Sequence, residues 1–202
     1  IILIVPLVKP IGLPIPITIE TKKFYDAIED LKKGDTVFYA FDAGSMTWME
    51  QGLGATVVLK HILMKEGVRI VGATTAPEGP MFWERAINSL GGLKAYGKEY
   101  GKDVVWLGFL AGYETATAAL AKNIDQTVGG VDAYKTPLTQ LPLMREVNTA
   151  KDFKILVCLS WGSSFEYWMR QWQMPYDIPE YIIPLAAVAA ESWHFYEAGQ
   201  IK

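Results

Sequence analysis

Four carboxylates sit where predicted strands give way to loops. Asp42 closes the run Val37–Asp42, Glu78 follows Val68–Val71, Glu114 follows Val104–Leu107, and Glu166 follows Ile155–Leu159. Loops at one edge of a parallel sheet converge, so these side chains are candidates for an acidic cluster. Asp42, Glu78 and Glu114 would offer a divalent cation its preferred oxygen ligands. The competing reading is electrostatic: a carboxylate near a helix N-terminus is favoured by the macrodipole by ~0.3–1 kcal/mol. That reading carries more weight, and no His/Asp/Glu spacing selects a transition metal. The expectation is therefore no dedicated metal site and no cofactor.

Serines occupy the same edge. Ser45, Ser160 and Ser163 lie near strand ends, where a hydrolase nucleophile would stand, but none sits in Gly-x-Ser-x-Gly. His61 falls deep in a predicted helix and His194 in an aromatic C-terminal one. A Ser–His–Asp site would need His194 beside one of these serines. If the chain is an enzyme, Asp42, Ser45 and Ser160 are its candidate catalytic residues. Cys158 lies within an apolar strand, Leu156–Leu159, and reads as a small hydrophobe. Gly52-Leu53-Gly54 comes too late after its strand for a dinucleotide turn, and no Gly-Lys-Ser/Thr pair follows. Ala43-Gly44-Ser45 could present backbone N–H groups to an anion or form a sharp turn into the next helix; the turn is favoured.

Aromatic residues crowd the strand ends: Trp48, Phe82, Trp83, Phe109, Tyr113, Trp161, Phe165, Tyr167 and Trp168. Tryptophan and tyrosine are enriched at interfaces and at membrane–water boundaries. Some of these must be core. Their density still marks this edge as one covered by a partner, an apolar ligand or a bilayer surface. The candidate binding crevice is Asp42, Gly44, Ser45, Glu78, Gly112, Glu114, Trp161 and Ser163.

The elements that must position these residues are read from hydropathy period and punctuation. Thr18 or Thr21 caps a first helix through Phe24, Ile28 and Leu31. Strand one, Thr36–Phe41, is nearly all apolar, as suits a strand buried on both faces. A helix follows over about 46–65, then strand two at 68–71, and a helix entered at Pro80 with a second piece to Tyr100. Strand three covers 103–107, and an alanine-rich helix 114–126. An irregular stretch, 131–149, has the length of a functional lid or interface loop. Strand four is 153–159 and its helix 163–173. Strand five, 181–188, contains Pro184 and so belongs at an edge or a bulge. A last helix starts near Ala190. Strand–helix alternation of this kind predicts a doubly wound, mainly parallel five-stranded sheet in a Rossmann-like or flavodoxin-like three-layer sandwich.

The chain of 202 residues suits one α/β domain, 18–202, after an arm, 1–17. Net charge is −3 with no basic block, which excludes the electrostatic footprint of a nucleic-acid binder. One cysteine excludes an internal disulfide and a cysteine-based zinc site. Half the residues are hydrophobic and mean hydropathy is +0.14, apolar for a soluble domain. The run Ile1–Val8 is too short to span a bilayer, which needs about 20 apolar residues. It is expected to be the outer end of a membrane span, or an apolar arm packed on a neighbouring subunit or on the domain itself. Pro6, Pro10, Pro14 and Pro16 exclude a helix and predict a stiff, extended stalk.

Several short stretches carry a resemblance. Gly12-Leu13-Pro14-Ile15-Pro16-Ile17, Phe24–Glu29, Pro77-Glu78-Gly79-Pro80, and Glu99–Asp103 with Leu107-Gly108 resemble an uncharacterised family of prokaryotic membrane-anchored extracytoplasmic α/β proteins. The resemblance spans most of the chain in short motifs and implies architecture, not activity. The apolar start would end an anchor, and the prolines would form its stalk. The preferred expectation is a membrane-associated, extracytoplasmic domain acting by binding or assembly, in a homo-oligomer or with another membrane protein. The alternatives are a hydrolase or transferase using the strand-end crevice, or a small-molecule or divalent-cation sensor, and a cytoplasmic location.

Overall fold

A computed structural model describes residues 17–202, so the expected arm and stalk lie almost wholly outside the described residues. Five strands form one parallel sheet: β1 Thr36–Phe41, β2 Arg69–Thr74, β3 Val104–Phe109, β4 Ile155–Ser160 and β5 Glu180–Pro184. Their spatial order is β3-β2-β1-β4-β5. Every pairing is parallel, with Val37 beside both Ile70 and Ile155 at the centre. Helices cover both faces, so the fold is the doubly wound α/β sandwich that the alternation predicts.

The central strands are apolar throughout because both faces are buried. All six residues of β1 and of β4 are buried. One face carries Tyr39, Phe41, Ile70, Trp106 and Val157, covered by α1 (Ile19–Glu29), α2 (Ser45–Met64) and α3 (Gly79–Ser89). On that face Trp83 stacks on Trp106, with centroids 4.6 Å apart. The other face carries Phe38, Val71, Val105, Leu156 and Cys158. It is covered by α4 (Tyr113–Lys122), α5 (Ile124–Val128), α6 (Ser164–Trp168) and α8 (Ala186–Glu197). Between α6 and α8, a π-helical turn, Met169–Gln173, runs into a short α7, Met174–Tyr176. Trp168 at the end of α6 and Trp172 in the π-helical turn pack on Phe38.

Local chemistry explains the boundaries. Thr18 is the cap of α1, its Oγ1 accepting the Thr21 N–H at 3.2 Å. The single alanine-rich helix expected over 114–126 is two. Asn123 ends α4 in extended conformation and starts α5, its Oδ1 accepting the Gln126 N–H at 2.8 Å. An asparagine competes with helical hydrogen bonding in this way. The piece expected to reach Tyr100 is a 3₁₀ turn, Leu93–Tyr96, flanked by positive-φ glycines. Strand five stops at Pro184, and Val188 belongs to α8.

The stretch 131–149 is not a lid. It folds into 3₁₀ turns, Leu138–Gln140 and Leu143–Arg145, and buries Leu138, Leu141, Leu143, Met144 and Val147 in the core. Its leucines are spaced for tight turns, so no helical period announces them. Between β2 and β3 the register slips: Gly72 pairs Trp106 but Thr74 pairs Phe109. Gly108, at φ +86°, lies in this bulge.

Candidate functional site

The chain leaves β1 toward β2 on one side and receives β4 on the other, so the strand order reverses between β1 and β4. Open α/β sheets bind ligands outside the carboxyl ends of the strands at such a switch point. A cavity of about 540 Å³ lies there. Its walls are the β1–α2 loop through Thr47, Ala76-Pro77-Glu78 after β2, Tyr113 at the start of α4, and Trp161 after β4. Apolar side chains dominate this lining.

Gly44, Ser45, Glu78 and Trp161 of the predicted crevice therefore do line one cavity. Gly44 sits between these walls: a Cβ there would stand at ordinary contact distance, 3.4 Å from Glu78 Oε2 and 3.7 Å from the Trp161 ring. The Ser45 backbone N–H, at the N-terminus of α2, donates to Glu78 Oε2 at 2.5 Å. The chain's own carboxylate thus occupies the position where a doubly wound fold would hold a phosphate.

Asp42 lies beneath the cavity, wholly buried. Its Oδ1 accepts the Thr75 N–H at 2.5 Å and the Thr74 hydroxyl at 3.2 Å, and Oδ2 accepts Trp168 Nε1 at 2.9 Å. Burial raises its carboxyl above the usual range, while those three donors pull the other way. Asp42 ties the end of β1 to the β2 loop and to α6. Ser160 is similarly committed: its hydroxyl donates to the Gly162 carbonyl at 2.8 Å and accepts the Phe165 N–H at 3.2 Å, closing the turn after β4.

Gly112, Ser163 and Glu114 stand outside the cavity lining. Glu114 receives a two-pronged pair from Arg170, Nε–Oε1 2.8 Å and Nη2–Oε2 3.0 Å, and Arg170 also binds Glu166 at 2.6 Å. Arg170 first, and Gln171 second, hold the Glu114 carboxyl below its usual range. Among the described residues no group of three His, Cys, Asp or Glu side chains is placed to hold a metal ion. The Asp42–Glu78–Glu114 cluster is thus not formed, because each carboxylate already serves a different donor. Among the described residues neither histidine is hydrogen-bonded to a serine. His61 Nε2 pairs with Glu29 at 2.7 Å, and His194 packs on Phe195.

The aromatic edge divides. Phe82, Trp83, Phe165 and Trp168 are core, while Phe109 and Tyr113 are exposed. Tyr113 is held at φ +49°, directly after Gly112 at +112°. A left-handed conformation costs an L-residue roughly 1–2 kcal/mol. Strain of this kind concentrates at ligand-contacting positions. The sequence reading left Met46, Thr47, Ala76, Pro77 and Tyr113 out of the crevice. Only Tyr113 carried a signal, through the glycine before it.

Comparison with protein-family models, with curated proteins and with solved structures finds no match to this chain. Function must be argued from the site itself.

Proposed function

We propose that this domain acts by binding, and that the switch-point crevice takes a ligand with an apolar body and a cationic group. One observation carries the reading: Glu78 places a carboxylate at the α2 N-terminus, inside a wall made of Met46, Pro77, Tyr113 and Trp161. Glu78 Oε2 is engaged, and Oε1 accepts no hydrogen bond among the described residues. A carboxylate beside aromatic faces favours ammonium groups through charge and cation–π attraction. The same carboxylate repels phosphates from a helix terminus that would otherwise attract them. Asp42 and Ser160, the side chains best suited to catalysis by position, are committed to structural hydrogen bonds, which favours binding over turnover.

Titration of Trp161 fluorescence with alkylamines, quaternary ammonium compounds and organic phosphates tests this. The cations should saturate, and Glu78→Gln should weaken them about tenfold, the effect of one lost charged contact worth ~1.4 kcal/mol. Saturable phosphate binding to the native chain would overturn the reading.

The setting belongs to the same proposal: a membrane-associated domain on the extracytoplasmic side, working within an assembly. The apolar run Ile1–Val8 and the prolines after it support this. No helix among the described residues is long and apolar enough to cross a membrane. Partition of the chain between membrane and soluble fractions is the measurement, and a wholly soluble monomer would remove this part.

A further inference from the structure

Helix α2 is apolar on both sides. Its inner face buries Ala55, Leu59, Ile62 and Leu63. Its outer face exposes Met46 (95 %), Met49 (88 %), Leu53 (78 %), Val57 (56 %) and Met64 (64 %). A run of exposed apolar side chains on the face turned away from the core marks a surface that another molecule can cover.

The outer residues have an order that names their partner. Met46, Glu50, Leu53, Val57, Lys60 and Met64 follow one another at alternating spacings of four and three. That is the seam of a helix pair. The seam is symmetric about the level of Ala55. Reversing the helix exchanges Met46 with Met64, Leu53 with Val57, and Glu50 with Lys60. Flanking Gly54 exchanges with Thr56, both small. A two-fold axis at Ala55 would therefore set Met against Met and Leu against Val. It would also set each Glu50 against the partner's Lys60, twice. Self-complementarity under a two-fold is what an isologous interface requires.

The charges are available for this role. Both residues are exposed. Lys60 makes no ion pair among the described residues. Glu50 Oε1 accepts the Ala186 N–H at 2.5 Å, which fixes its carboxylate beside the seam and leaves Oε2 unclaimed among the described residues. From Met46 to Met64 the seam runs about 27 Å at 1.5 Å per residue. Two copies packed along it would bury on the order of 1,000 Å², the lower bound for a specific interface.

We propose that α2 pairs with α2 of a second copy of this chain in an antiparallel, two-fold dimer centred at Ala55. This surface shares Met46 with the crevice lining, but its charged pair, Glu50 and Lys60, lies outside the crevice, so either proposal can fail without the other.

Sedimentation equilibrium of the 202-residue chain across micromolar to millimolar concentration tests it. The native chain should dimerise. Lys60→Glu puts like charges together twice and should weaken the dimer at least about tenfold. Glu50→Lys should do the same, although it also removes the Ala186 contact. Mixing the two variants restores both opposite-charge pairs, so heterodimers should form where neither variant self-associates. A native chain that stays monomeric overturns the proposal. So does a Lys60→Glu protein that dimerises as tightly as the native one, or a mixture that shows no rescue. If the native monomer instead binds neutral vesicles and Leu53→Lys abolishes this, the stripe faces a bilayer. If removing residues 1–16 from a monomeric chain induces dimerisation, that segment covers it.

Discussion

Glu78 reaches from the loop after β2 to accept the backbone N–H of Ser45, the first residue of α2. The contact joins two loops across the sheet edge and satisfies a donor that has no intrahelical partner. Replacement by Ala should cost about 0.5–2 kcal/mol in denaturant unfolding, as other lost helix caps do. It should also create an affinity for inorganic phosphate that the native chain lacks. Ser45→Ala keeps the backbone donor and should change stability by less than about 0.5 kcal/mol.

Glu180 is wholly buried on β5, and neither carboxyl oxygen has a partner among the described residues. Burial first, and the nearby Asp42 second, push its carboxyl well above the usual range. A raised folded value means that the stabilising contribution is complete below the unfolded value near ~4.3 and is lost as pH rises through the folded value. Glu180→Met should therefore raise stability at pH 4 by about 1–3 kcal/mol, the cost of an unsatisfied buried polar group. At pH 8 the gain should be larger, because the native chain has then also lost the contribution of the neutral carboxyl. Unfolding curves at the two pH values give the comparison, and equal effects at both would contradict this account.

Asp42 differs from Glu180 because both its carboxyl oxygens accept hydrogen bonds. An asparagine offers one oxygen and one NH₂ in place of two oxygens. Either the Thr75 N–H or the Trp168 Nε1–H must then face a donor. Asp42→Asn should destabilise by about 1–3 kcal/mol. The Trp168 indole N–H resonance in NMR should report which bond was lost.

Gly52 lies within α2, where alanine would ordinarily gain about 1 kcal/mol. Here a Cβ would stand 2.6 Å from the Trp48 ring, which lies back along the helix and stacks on Phe82 with centroids 4.8 Å apart. Gly52→Ala should reverse the usual sign and cost roughly 1–3 kcal/mol, as overpacking does. Trp48 emission should shift as its ring leaves Phe82.

Tyr113→Gly relieves a left-handed backbone and removes one wall of the crevice. Stability should rise by up to about 1 kcal/mol, while the affinity for an ammonium ligand falls. Thermal unfolding and the Trp161 titration should therefore move in opposite directions.

The sheet was legible because its evidence is local. Continuous apolar runs such as Val37–Phe41 and Ile155–Leu159 mean burial on two faces wherever they occur, and small residues mark where each run ends. The crevice was half legible for the same reason: Gly44, Ser45, Glu78 and Trp161 follow strand ends in sequence. What failed was the assignment of free side chains. Nothing near Asp42 in sequence shows that Trp168, 126 residues away, will donate to it. Glu114 gave no sign of Arg170 across the contact between α4 and the π-helical turn. The burial of Leu138–Val147 escaped because 3₁₀ turns present apolar residues without a helical period.

The order of strands has a kinetic consequence. β1, β2 and β3 are sequence neighbours, but β4 must return over a long excursion to pair with β1. Contacts of such high sequence separation form late and slowly. The crevice draws Ser45 from the early half and Trp161 from the late half, so it does not exist until β4 has docked. Its occupant would act as a reporter of completed folding. At 100 times its dissociation constant it would hold the two halves together by about 2.7 kcal/mol, slowing the escape of β4.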